Sequence, residues 1–236
     1  MRAILRPLVL SASLLAAVNS GFASVITYTS NPVRNIPDSS SSGVVDTIHV
    51  TESGFVASMS LDLNLVIPAG EVGFAGDLYV YLQHGASQSV LLNRVGRSGT
   101  SSTGYDDNVP ISVTFSDSAA NGDIHNYRMT LNGSNLLPLS STLSGTWQPD
   151  GRAVDPDTVK LSDVRSAALN VFNHANSSGD WSLFLADLSG GGLYALNGWS
   201  LKLDVTPIPE PKSAAAVAGV FLLGVSIASK LRRKQL

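Results

Sequence analysis

The 236 residues are enough for one sizeable domain with appendages, and only 14% of them are charged. Cysteine is absent, which excludes a disulfide framework and a thiolate metal site. Positions 24–206 hold eight Lys or Arg against 17 Asp or Glu, a net −9; that acidity excludes nucleic acid as a partner, because phosphates need clustered cations.

The chain opens on a secretory leader. Arg2 and Arg6 give it a positive start, and 8–18 is apolar apart from Ser11 and Ser13. The small residues Gly21 and Ala23 then supply a signal-peptidase site, so cleavage is expected between Ala23 and Ser24, leaving 1–23 as the signal peptide. An apolar helix over 8–18 would be about 16 Å long, too short for a bilayer core of roughly 30 Å, which argues against a permanent anchor. Positions 24–43 read as a lead-in to a domain at 44–205.

Periodicity gives that domain its class. Along 55–67 every odd position is apolar, from Phe55 through Leu61 and Leu63 to Ile67, while Ser58, Ser60, Asp62 and Asn64 occupy even ones. This is the pattern of a half-buried strand. Leu78, Val80 and Leu82 repeat it, with Tyr79 and Tyr81 on the opposite face. The runs Ile111-Val113-Phe115, Trp181-Leu183-Leu185 and Trp199-Leu201-Leu203-Val205 follow the same period, and clusters of Gly, Asn, Ser and Pro separate them. A single helical stretch is expected in the middle, over 161–172. The fold expected is all-β, an antiparallel β-sandwich or jelly roll.

The order of motifs over 44–205 resembles the P domain, or Homo B domain, of proprotein convertases. The residues that carry the resemblance are Gly76-Asp77-Leu78, Gln83-His84-Gly85, Asp106-Asp107, Gly145-Thr146-Trp147-Gln148-Pro149, Gly179-Asp180-Trp181 and Leu196-Asn197-Gly198-Trp199. The family often has Gly-Thr-Trp where this chain has Gly179-Asp180-Trp181. The resemblance implies a jelly roll of eight strands, which in convertases stabilises a subtilisin-like neighbour that this chain lacks.

Catalytic signatures are missing from the sequence. It has no Gly-x-Ser-x-Gly elbow, His-Glu-x-x-His, P-loop or dinucleotide fingerprint. His49, His84, His125 and His174 are scattered with no pair at ligand spacing, and each is expected at the surface or in a turn. No catalytic residue, cofactor site or metal site is therefore assigned. Calcium stays open on Asp77, Asp106, Asp107, Asp117, Asp180 and Asp187, which fall at strand ends or in loops; turn capping is the plainer expectation, above all for Asp77 and Asp187. Trp181 and Trp199 lie on apolar faces and are expected in the core. Trp147 falls in a loop and is the one tryptophan with a chance of being an exposed sugar platform, against packing in the turn.

The end of the chain is the sharpest signal. Pro207, Pro209 and Pro211 alternate with Ile208 and Glu210, which stops any strand and holds the backbone extended. Positions 214–229 are uncharged and apolar, and Lys230, Arg232, Arg233 and Lys234 follow as a basic stop. The positive-inside bias puts that cluster in the cytoplasm and 24–206 across the membrane. A helix over 214–229 would be about 24 Å long, a thin single span that snorkelling basic residues help to complete.

Pro209-Glu210-Pro211, the apolar helix and the basic end occur in the order of the PEP-CTERM sorting signal, which 206–236 resembles. That resemblance implies an exosortase-type membrane enzyme as processing partner beside signal peptidase, a transient inner-membrane anchor, and delivery to the cell surface or beyond. It also implies a link to extracellular polysaccharide. The reading is a non-enzymatic exported surface or matrix protein. The alternative is an accessory module that stabilises or presents a separate exported hydrolase.

Overall fold

The computed structural model describes residues 23–208. Positions 1–22 of the leader expected over 1–23, the motif at 209–211, the helix over 214–229 and the basic residues 230–236 lie outside them. Among the described residues no helix is long and apolar enough to cross a membrane.

Among the described residues ten strands make two sheets. The larger contains β1 (Ser24–Ser30), β2 (Arg34–Asn35), β4 (Gly54–Val66), β7 (Ile111–Phe115), β8 (Leu143–Trp147) and β10 (Ala195–Pro207), in the order β1-β10-β4-β7-β8 with β2 also on β10. The smaller has the order β3-β9-β5-β6, from β3 (Ser40–Val50), β5 (Leu78–His84), β6 (Ser87–Asn93) and β9 (Gly179–Asp187). Their inner faces share one core, in which Leu61, Leu63, Leu201 and Leu203 of the larger sheet join Val80, Leu82, Leu183 and Leu185 of the smaller. The fold is a β-sandwich. Each such side chain taken out of water contributes on the order of 2 kcal/mol, so strand phase is strongly specified.

The segment 24–43, expected as a lead-in, belongs to the sheets. β1 pairs along its whole length with β10, Ser24 opposite Val205 and Ser30 opposite Trp199, and β3 begins at Ser40. The two ends of the domain therefore leave side by side.

Three details differ from the expected pattern. First, the odd phase of β4 holds at Leu61, Leu63 and Leu65 but reverses at its start, where Val56 is buried and Phe55 exposed. The register on β10 steps from Ser58 opposite Asp204 to Val56 opposite Val205, leaving Ala57 as an extra residue; one inserted residue turns the strand over. Second, β7 and β8 are parallel, joined by the crossover 116–142, whereas every other pairing among the named strands is antiparallel. Third, the α-helix, α1 (Tyr127–Asn132), lies in that crossover and not at 161–172.

Within 161–172 only Leu169–Phe172 makes a 3-10 turn. The residues before it are drawn onto the rim of β6. Ala167 donates its N–H to Gly151 O at 2.8 Å and accepts from Val90 N–H at 2.9 Å. Arg165 reaches Pro149 O and Gln148 Oε1. That bonding holds the backbone extended and starves a helix of its partners.

Candidate functional site

Of the residues singled out from the sequence, Ser24 is the first of β1 and Ala23 precedes it. The three tryptophans are all buried and are the largest side chains of the core. Each indole N–H has a partner: Trp147 donates to Ser144 O, Trp181 to Ser177 O, and Trp199 to Asp46 Oδ2 at 2.8 Å. Trp147 is thus a core residue at the end of β8, and its chance of serving as a sugar platform is gone.

The six aspartates considered for calcium do not converge, and among the described residues no three His, Cys, Asp or Glu side chains gather in a way that suits a metal. Asp106 and Asp107 are held by Arg128 of α1, whose Nη2 reaches Asp106 at 2.6 Å and whose Nε reaches Asp107 at 2.8 Å. Asp107 is fully buried and also accepts from the Tyr127 hydroxyl and from Leu139 N–H. Asp117 caps Leu169 and Asn170 through their N–H groups. Asp180 pairs with His49 in the open, at 2.6 Å with both side chains about two-thirds exposed.

Asp77 and Asp187 sit together at the junction of β5 and β9. Leu188 N–H donates to Asp77 O, and Arg94 Nη2 lies 3.6 Å from Asp77 Oδ1. Asp187 accepts from Ser189 N–H, as a turn cap should, while its Oδ2 is buried with no partner among the described residues. Burial, reinforced by the Asp77 and Asp38 charges and opposed by Ser189 N–H and Arg94, pushes the Asp187 carboxyl up to about 7.

The histidines divide in a way that spacing did not announce. His84 lies parallel to Trp181 at 4.0 Å, with Nδ1 against Asp180 O and Nε2 against Asn176 O. His125, expected at the surface or in a turn, lies in the 3-10 turn Ile124–Asn126 and is buried. Its Nδ1 meets Asp150 Oδ2 at 2.6 Å and its Nε2 meets Arg97 O at 2.8 Å. Both atoms facing it are acceptors, so both ring nitrogens must donate. Burial works against that charge, yet the Asp150 carboxylate and the Arg97 carbonyl outweigh it and the His125 pKa is raised. Arg152, also buried, completes the cluster through Asp150 and Asp123 at 3.0 and 2.6 Å.

His125, Arg97 and Arg128 line a cleft of about 370 Å³ between the 96–106 loop and α1, and Ser98, Thr100 and Asn135 supply further polar groups there. Most of its charged groups are already paired inside the protein. Leu136, 87% exposed, stands at its mouth. The cleft can offer hydrogen bonds to a polar ligand; it holds no nucleophile hydrogen-bonded to a base among the described residues.

No family model and no curated protein matches the chain. Among solved structures it is similar to the serine protease of Aeromonas sobria, with 14% identity, a TM-score of 0.41, and coverage of 80% of this chain and 28% of that one. It is likewise similar to a chain in the crystal structure of the Aeromonas sobria serine protease with its chaperone, with 14% identity, a TM-score of 0.42, and 79% and 27% coverage. The chain spans little more than a quarter of those chains.

Proposed function

We propose that this is a non-enzymatic exported surface or matrix protein, delivered by its leader and its PEP-CTERM-type tail and associated with extracellular polysaccharide. One observation carries the reading. Ser24, the residue after the expected leader, is the first of β1 and pairs with Val205, next to the last residues of β10. The folded unit Ala23–Pro207 thus begins where the leader ends and stops where the proline run starts, its two ends adjacent. A domain so bounded keeps its core when either membrane-directed segment is removed. The same reading takes the sandwich as a P-domain-type jelly roll, with no protease activity of its own.

Mass spectrometry of both mature termini in the producing cell tests this. The expected N-terminus is Ser24, and the expected C-terminus lies near 209–211. Glu210→Ala, or removal of 230–236, should leave an unprocessed membrane-bound form. Normal maturation and release of both variants would reduce the tail to an ordinary anchor and end the sorting proposal.

A further inference from the structure

The outer face of the smaller sheet carries an aromatic group that the core does not use. Leu78, Val80 and Leu82 of β5 are buried in the core, so Tyr79 and Tyr81 point the other way; on β9 Phe184 lies in the same sense between buried Leu183 and Leu185. Tyr81 and Phe184 stack at 4.7 Å with their planes 17° apart. Tyr79 lies 5.8 Å from Tyr81 and 6.4 Å from Phe184. All three are half-buried, so each residue keeps part of its surface in solvent.

The group is held in place. β3 bulges between Ser40 and Val44, and Gly43 adopts φ +51° there. A Cβ on Gly43 would stand 2.9 Å from Phe184 Cζ and 2.3 Å from Leu185 O, so only glycine lets the strand pass beside the ring. Two residues further along each strand, about 7 Å away, comes a polar row in register: Thr47 on β3, Ser182 on β9 and Gln83 on β5. Thr47 and Ser182 share a 2.9 Å hydrogen bond, and Gln83 is exposed.

A pyranose ring presents both matching chemistries, a face of C–H bonds for an aromatic ring and a rim of hydroxyls for amides and alcohols. Charge narrows the class. The four strands of this sheet contain no Lys or Arg, Arg34 reaches the edge of β3 only by donating to Val45 O, and the body is acidic, so a neutral polymer suits the face better than a uronate, sulfate or phosphate. The face is a strip and not a pocket, which suits a polymer and not a monosaccharide. We propose that the outer face of β3, β9 and β5, beside a β6 that the 150–167 segment covers, binds a neutral polysaccharide strand, with sugar rings stacked on Tyr81 and Phe184 and hydroxyls bonded along the Thr47-Ser182-Gln83 row. This rests on the reading of a polysaccharide-associated surface protein and names the part of the molecule that makes the association.

The test is native affinity electrophoresis of the full chain in detergent, in gels carrying hydroxyethylcellulose, galactomannan or dextran, with polygalacturonate as the anionic control. At least one neutral polymer should retard the protein and polygalacturonate should not. Tyr81→Ala should weaken retention about tenfold, the loss of roughly one stacking contact. Tyr81→Leu keeps an apolar side chain over the sheet without a π-face and should weaken it equally, which guards against a folding defect in the alanine variant. Leu136→Ala, at the cleft, should change nothing. No retention by any neutral polymer, or full retention by Tyr81→Leu, overturns the proposal. So does a concentration-dependent dimer, seen by light scattering and abolished by Tyr81→Leu, because a second copy would then own the face. Correct processing with no polymer binding sinks the platform alone; binding without processing sinks the sorting proposal alone.

Discussion

Replacing Asp187 by Asn should stabilise the domain at pH 8 and do little near pH 4. The carboxyl stands at about 7 in the folded protein against an ordinary 3.8. Below the ordinary value both folded and unfolded chains carry the proton. As pH rises toward 7 the unfolded chain loses it while the folded chain keeps it, so stability falls across that window and stays low above it. The full displacement corresponds to a ceiling of about 4 kcal/mol at pH 8. Relaxation around the carboxylate lowers it, and a gain of about 2–4 kcal/mol is expected. The asparagine keeps an acceptor for Ser189 N–H and brings an N–H₂ group to a site whose Oδ2 lacks a partner. For a domain of this size the gain is roughly 5–15 °C in Tm, read by calorimetry at the two pH values. A Tm that falls at pH 8, or rises equally at both, would refute the reasoning, the first result by showing that the site needs its negative charge.

His125 should give the opposite end of the pH profile. Its raised pKa makes its stabilising contribution complete below about 6.5 and lost as pH climbs through the folded value, so Tm should decline above pH 7, where Asp187 no longer contributes a slope. His125→Gln should lower Tm at pH 6 and flatten the alkaline decline; an unchanged decline would mean another group titrates. Asp107→Ala should cost about 3–5 kcal/mol in urea denaturation, because it strands buried Arg128 and the Tyr127 hydroxyl, and a loss under about 1 kcal/mol would show that water or Asp106 replaces it.

The strands were readable because burial imposes period two, and Leu78-Val80-Leu82 gave both the core face and the outward tyrosines. The period misled at Phe55 because the extra residue Ala57 is set by the partner β10, which no local pattern records. The charged clusters were hidden for a related reason. Asp106-Asp107 resembles a loop awaiting a cation, while the arginine that neutralises it lies 21 residues on. His125 finds its acceptors 25 and 28 residues away, at Asp150 and Arg97. Nothing in the residues around Asp150 announces its burial. Likewise Tyr79 and Tyr81 were legible as an outward pair, but Phe184 joins them only through the register of β5 on β9.

The place of β10 has a consequence for the order in which the domain folds. Among the described residues it is the last strand made, yet it lies between the first, β1, and the fourth, β4. Vectorial synthesis therefore cannot complete the larger sheet early, because its central seam is absent until the chain is finished through Pro207. Such a high contact order favours slow folding that completes only once the chain has been made through Pro207.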